Sequence, residues 1–228
     1  MTDEPETGPP SGGLPPLTPL HSTALSFPKR RSTEEPSRLS PLAKIETRPP
    51  RVLDFDIETR KVGFHTAGKF QPDGCEPIAL AWSWLDGPVE VYVLGSVITL
   101  LEKFRRVYDE ADIVTAHYIR KFDLPVLNGA MLEHGFPPLK PKLTIDTKLD
   151  LRSRAGVSVS QENLAEMLQV AESKFHMSDY LWREAARLTP EGIEKARRRA
   201  YDDVVQHKAM YAALKKGGWL KPAKWWRP

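Results

Sequence analysis

The chain has 228 residues, with 33 basic and 30 acidic side chains and a net charge of +3 at neutral pH. This length suits one mid-sized domain with extensions, and so small a positive excess does not identify a nucleic-acid binder. The longest apolar stretch falls well short of a membrane span, so we expect no membrane partner. The single cysteine, Cys75, excludes an intramolecular disulfide and agrees with a reducing compartment. We therefore expect a cytoplasmic protein.

The N-terminal segment differs in composition from the rest of the chain. Residues 1–50 hold 11 of the 21 prolines and contain no Trp, Tyr or Cys. Such a segment buries too little apolar surface to offset its ordering entropy, so residues 1–48 are predicted to be a disordered tail. Two interpretations of this tail stay open. It would tether the chain to a polymerase or another replication partner, or it would be a flexible tail with no partner role.

From residue 51 onward, strand and helix patterns alternate along the chain. Residues 52–55, 78–85 and 89–94 have strand composition, and the turn sequence between the last two favours an antiparallel hairpin. An amphipathic repeat over residues 97–111 predicts a helix that crosses over to a strand at 113–115.

The second half of the chain predicts one more strand and further helices. A helix is predicted for residues 123–134 and a short strand for 143–145. The last helix begins with Thr189 as its N-cap and ends near Gly217. The whole pattern predicts an α/β domain at residues 49–216. Its core would be a five-stranded mixed sheet, with three antiparallel strands plus two parallel strands, flanked by helices.

The C-terminal segment, residues 217–228, is predicted to be a basic, Trp-rich tail. It holds three tryptophans among several lysines and an arginine. Cations that contact phosphates and aromatic rings that stack on bases are the two ingredients of single-strand binding. The other interpretation is that one or two of the tryptophans pack back on the domain.

Carboxylates stand at three points of the predicted fold. Asp56 and Glu58 are one residue apart at the end of the first strand and therefore project from the same face. Asp123 opens a helix, and Asp203 lies on the last helix. Adjacent anions repel each other unless a cation lies between them, and Mg²⁺ or Mn²⁺ favours oxygen ligands. Taken alone, the strand pair would also fit a solvated strand end.

These motifs, in this order, resemble the DEDD 3′–5′ exonuclease superfamily, and most closely its phage and bacterial branch. The resemblance spans about residues 51–215. It implies a ribonuclease H-like fold and a metal site in which Asp56, Glu58, Asp123 and Asp203 bind two ions, Mg²⁺ or Mn²⁺. The matching segments are DIET at 56–59, HYIRKFDLP at 117–125, IDTK at 145–148, the helix at 160–168 with Lys174 beyond it, and DV at 203–204 with Tyr211 eight residues on.

Two motifs depart from the superfamily pattern. The second motif carries Tyr118 where relatives have Asn. Relatives also have a Tyr four residues or a His five residues before the last Asp, to position or deprotonate the attacking water, and this chain has Arg199 and Arg198 there. An arginine cannot act as a base at neutral pH. His207 lies four residues after Asp203 on the same helix face, so it is the candidate for orienting the water; the other interpretation is a core or surface histidine.

The resemblance implies a metal-dependent 3′–5′ exonuclease that releases nucleoside monophosphates from single-stranded or frayed DNA 3′ ends by a two-metal mechanism. It also implies a role in DNA repair or replication, in the cytoplasm of a bacterium or a phage-infected host cell. Candidate nucleic-acid contacts are Thr59, Lys121, Lys148 and Arg199. Three alternatives stay open: a catalytically weakened module of the same fold that binds nucleic acid or a polymerase, a 3′–5′ exoribonuclease, and a proofreading subunit of a separate polymerase.

Overall fold

A computed structural model of the chain describes residues 48–62, 74–93, 95–151, 156–170 and 174–228. Except for its last residue, the tail predicted for residues 1–48 lies outside the described residues. That last residue, Arg48, donates two hydrogen bonds from its guanidinium to the Asp112 carboxylate, at 2.7 and 3.0 Å. Among the described residues, no helix has the length and apolar character needed to cross a membrane.

Three antiparallel strands form one half of the sheet. They are β1 (Val52–Lys61), β2 (Cys75–Trp84) and β3 (Val89–Val93), and β2 pairs antiparallel with both of the others. The predicted hairpin between β2 and β3 is confirmed. The β1–β2 register shifts between Glu58 and Thr59, so an irregularity in β1 falls directly after the two acids of the first motif.

Two parallel strands form the centre of the other half. Helix α1 (Val97–Glu110), capped by the Ser96 side chain, leads to β4 (Ile113–Ala116), which runs parallel to β1. Helix α2 (Asp123–Glu133) then leads to β5 (Lys142–Asp146), parallel to β4. The predicted crossover and the mixed character of the sheet are therefore confirmed.

The C-terminal region adds three helices and a sixth strand. They are α3 (Gln161–Met167), α4 (Asp179–Ala186), α5 (Pro190–Lys216) and β6 (Lys224–Trp226), which gives the strand order β3-β2-β1-β4-β5-β6. The sheet has six strands in the described part of the chain, one more than the five predicted. Strand β6 has three residues, too few for a sequence pattern of period two to be recognised. Its last residue, Trp226, is buried in the main apolar core.

Helix α5 packs across the antiparallel half of the sheet and brings its acids to β1. Its apolar stripe consists of Ala196, Ala200 and Val204, which belong to one buried cluster with residues of β2 such as Ala79 and Ala81. Small side chains on both sides allow the helix axis to approach the sheet closely. Asp203, directly before Val204, is thereby carried to the β1 end that holds the first motif.

Candidate metal centre

Three acidic side chains converge between β1 and α5. Asp56, Glu58 and Asp203 each present a carboxylate oxygen, and these oxygens all lie within 4.8 Å of one another. Glu58 and Asp203 are buried, and Asp56 is partly buried. The even spacing along β1 places the first two acids on one face, and the stripe on α5 fixes the third. The structure thus brings together three of the four acids expected to bind metal.

The electrostatics of this cluster favour a bound cation. Burial raises the pKa of the Asp56 carboxyl well above its ordinary range, and the nearby charges of Asp203, Asp123 and Glu58 raise it further. Burial also raises the pKa of Glu58 strongly, with the Asp203 charge adding to the effect. Both carboxylates are therefore costly to ionise without a positive partner. Buried carboxylate oxygens at this spacing are ligands that Mg²⁺ and Mn²⁺ prefer, so the residues present fit a divalent cation.

Asp123, the fourth acid, lies at the first residue of α2 and is buried. Its pKa is raised to about 7, chiefly by burial, although the backbone N–H groups of Asp123 itself and of Ile57 oppose this rise. Asp123 is not one of the three acids within 4.8 Å, but its charge reaches both β1 acids.

The turn that precedes α2 is held by Asp146, the acid of the IDTK segment. Its fully buried carboxylate accepts hydrogen bonds from the backbone N–H groups of Tyr118 (3.2 Å) and Arg120 (3.0 Å). It also accepts from the N–H groups of Lys148 and Leu149. Tyr118 has a φ of 75°, in the left-handed region where Asn is enriched. The Asn of the resembled superfamily would suit this position, and Asp146 supports the turn around Tyr118.

Two cations lie against the acids. Arg199 Nε is 2.7 Å from Asp203 Oδ2 and 3.7 Å from Glu58 Oε1. Lys174 Nζ is 3.0 Å from Asp203 Oδ1 and 2.7 Å from Glu162 Oε1. Both carboxylate oxygens of Asp203 therefore face a positive charge from the protein. The predicted nucleic-acid contact of Arg199 stays a prediction, but the structure places this side chain among the acids.

His207 lies inside the protein, and its predicted role in orienting a water molecule stays a prediction. Its side chain is buried, with Nδ1 at 2.8 Å from the Asp54 carboxylate and Nε2 at 2.9 Å from Thr147 Oγ1. Both ring nitrogens are thus engaged inside the protein, in line with the alternative interpretation of a core histidine. Thr147 Oγ1 in turn lies 3.0 Å from His117 Nδ1. Sequence reasoning missed Asp54 as the partner, because only the folded chain brings residues 153 positions apart into contact.

The other predicted nucleic-acid contacts lie on three separate elements. Thr59 is half-buried on β1, directly after the shift in register. Lys121 is exposed in the turn before α2. Lys148 Nζ lies 4.3 Å from the centre of the Tyr118 ring, in a cation–π contact. Their contact with nucleic acid stays a prediction.

Comparison with known proteins establishes the fold and no more. No protein-family model matches the chain, and no curated protein matches it. The chain is similar to the solved structure of the family B DNA polymerase from the hyperthermophilic archaeon Pyrobaculum calidifontis, with a TM-score of 0.60 and 19% sequence identity. The similarity covers 74% of this chain and 25% of the polymerase chain, so the present chain spans about a quarter of that protein. This likeness confirms the predicted ribonuclease H-like fold and gives no support to the phage and bacterial branch.

Proposed function

We propose that this protein is a metal-dependent 3′–5′ exonuclease that hydrolyses phosphodiester bonds at single-stranded or frayed DNA ends. The observation that carries the proposal is the convergence of Asp56, Glu58 and Asp203 on the ribonuclease H-like sheet, with oxygens within 4.8 Å of one another. Burial and the neighbouring acids raise the pKa of Asp56 and of Glu58 even with Lys174 and Arg199 nearby, which supports a bound cation at this site. The likeness to a family B DNA polymerase supports a nucleic-acid substrate.

The carboxylates would hold Mg²⁺ or Mn²⁺, with Asp123 as the fourth acid. When bound, such cations activate a water molecule and stabilise the departing 3′-oxygen. The protein supplies the geometry: β1 and α5 hold three carboxylates, and Asp146 holds the turn from which Asp123 projects. In this proposal the acids bind the metal and need not transfer protons themselves. Nucleoside monophosphates would be the products, and the cytoplasm the site of action.

A second candidate function is a nucleic-acid-binding or polymerase-binding module of the same fold with weakened catalysis. The observation that favours it is that Lys174 and Arg199 engage both carboxylate oxygens of Asp203, at 3.0 and 2.7 Å, where a metal ion would need at least one of them. A tether through residues 1–48 to a polymerase would suit such a module and stays a prediction.

The test is a degradation assay with DNA and RNA strands labelled at either end, in Mg²⁺, Mn²⁺ or excess EDTA. We expect the protein to shorten single-stranded DNA from the 3′ end only when Mg²⁺ or Mn²⁺ is present. Asp56→Asn should reduce the rate at least about a hundredfold, because each lost tenfold corresponds to about 1.4 kcal/mol and a catalytic metal supplies several. The matched control is Glu133→Gln, an exposed acid at the far end of α2, which should leave the rate unchanged.

Three other outcomes would replace the proposal. Undiminished activity of Asp56→Asn, or activity in excess EDTA, would remove the metal site from the reaction. Preferred degradation of RNA would make the protein an exoribonuclease. Strand binding without cleavage in either metal would establish the second candidate function.

A further inference from the structure

Arg199 lies between two of the metal-site acids. It occupies the position four residues before Asp203, where the resembled superfamily has a tyrosine. Residues four apart share a helix face, so the guanidinium reaches Asp203 Oδ2 at 2.7 Å and comes within 3.7 Å of Glu58 Oε1. The acids that Arg199 contacts therefore come from β1 and α5, which form the site, and from α3, where Glu162 Oε1 lies 3.7 Å from NH2.

The guanidinium is held in this orientation by a third contact. Its NH1 group donates a hydrogen bond to the backbone carbonyl of Phe175 at 2.8 Å, and 17% of the side chain is exposed. A planar guanidinium has its donors in a fixed fork, so an anchor on one edge directs the other donors to Glu58 and Asp203. Its charge is permanent at all accessible pH values. Arg199 is thus a fixed positive charge inside the acid cluster.

Lys174 strengthens the same arrangement from the other side. Its ammonium contacts Asp203 Oδ1 at 3.0 Å and Glu162 Oε1 at 2.7 Å, and its side chain is 9% exposed. A divalent ion bound to Asp203 would therefore face two protein cations at close range and would compete with both for carboxylate oxygens. Among the described residues, neither Asp56 nor Asp123 forms an ion pair with a basic side chain, so these two acids are the ones open to metal.

We propose that Arg199 takes the place of one of the two expected metal ions, so that the site binds a single divalent ion. The ion would bind Asp56 and the carboxylate oxygens that Arg199 does not contact. Arg199 would supply the second positive charge that faces an anionic phosphodiester. The inference rests on the proposed function only in that a divalent ion binds these acids.

The test counts metal ions on the full chain in the absence of nucleic acid. MnCl₂ is titrated into the protein, and bound Mn²⁺ is measured by calorimetry and by the electron paramagnetic resonance signal of the free ion. The wild type should bind one ion. Arg199→Met, which removes the charge, should bind two ions or bind the first at least about tenfold more tightly, because a repelling cation is gone. Arg198→Met is the matched control, since Arg198 pairs with Asp202 and its side chain is 63% exposed; it should bind as the wild type does.

Each contrary result overturns the proposal. Two ions on the wild type would show that Arg199 yields to metal, and no ion at all would remove the single-ion site. One ion with unchanged affinity in Arg199→Met would show that the guanidinium does not compete. If Arg199→Met fails to fold, Arg199→Gln replaces it and is judged by the same count, because glutamine retains a donor for the Phe175 carbonyl. A wild type that binds one ion but degrades no strand would refute the nuclease and retain this inference.

Discussion

His207 Nδ1 lies 2.8 Å from each carboxylate oxygen of Asp54, and both side chains are almost inaccessible to solvent, at 3% and 0% exposure. The contact joins α5 to the centre of β1. The second ring nitrogen lies 2.9 Å from Thr147 Oγ1, directly after β5, so one imidazole connects β1, α5 and the residue that follows β5. An isolated buried carboxylate is unfavourable, and Asp54 depends on His207 for its partner.

His207→Ala should therefore destabilise the fold. We expect the free energy of unfolding to fall by about 3 kcal/mol, because the variant leaves a buried carboxylate without its partner. Urea unfolding followed by circular dichroism measures this, with His176→Ala, at an exposed histidine, as the control. Mn²⁺ affinity per folded molecule should be retained. A variant with wild-type stability and a hundredfold lower turnover would instead support the predicted water-orienting role.

The Asp123 carboxyl predicts a pH-dependent stability difference. Its pKa in the folded protein is about 7, against an ordinary value of 3.8, so between these values the folded state binds more protons than the unfolded state. Stability contributed by this group therefore falls as pH rises, by up to about 1.4 kcal/mol for each pH unit. Buried His117, with its pKa lowered from 6.5 to about 3, acts in the opposite direction because its folded form binds fewer protons.

Comparison with Asp123→Asn tests the Asp123 effect. In EDTA, the stability of this variant relative to the wild type should increase steadily from about pH 4 to pH 7. Asparagine neither titrates nor repels the carboxylates of Asp56 and Glu58, and His117 contributes equally to both proteins. Melting temperatures at several pH values provide the measurement. A stability difference that stays constant or shrinks over this range would mean that the pKa of Asp123 is not raised in the folded protein.

Features with a short sequence period were predictable, and contacts between distant segments were not. Alternation along β1 was enough to place Asp56 and Glu58 on one face. The four-residue repeat of Ala196, Ala200 and Val204 fixes which face of α5 meets the sheet. The same helical spacing allows Arg199 to reach Asp203, but no sequence pattern indicates that Glu58 and the Phe175 carbonyl contact the same guanidinium.

The C-terminal strand was missed for a different reason. Strand β6 has three residues and pairs antiparallel with the edge of β5, with Trp225 opposite Leu143 and Trp226 opposite Lys142. Its alternation of one exposed and one buried tryptophan is the expected strand pattern, but two residues cannot establish a period. Composition alone was equally compatible with a tail.

Replacing each of the two tryptophans of β6 with alanine should change the stability of the protein by different amounts. Trp226 is 9% exposed and belongs to the main core, whereas Trp225 is 63% exposed. Trp226→Ala should lower the free energy of unfolding by about 3 kcal/mol or more, as large-to-small changes in cores do. Trp225→Ala should change it by less than about 0.5 kcal/mol. Urea unfolding of both variants checks this, and equal effects would mean that β6 does not pair with β5. Weaker binding of single-stranded DNA by Trp225→Ala would support the predicted stacking role.

Gly192 and Gly129 form a second matched pair, both within helices. A Cβ atom on Gly192 would overlap the backbone of α4 at Glu184 and Ala185, whereas one on Gly129 would meet no atom within 4 Å. Gly192→Ala should therefore force α5 away from α4 and destabilise the protein by about 1–3 kcal/mol. Gly129→Ala should stabilise it by up to about 1 kcal/mol, because alanine is the better helix former. Because α5 carries both Arg199 and Asp203, Gly192→Ala should also weaken Mn²⁺ binding, and Gly129→Ala should not. Equal stability changes in the two variants would show that α4 does not pack against Gly192.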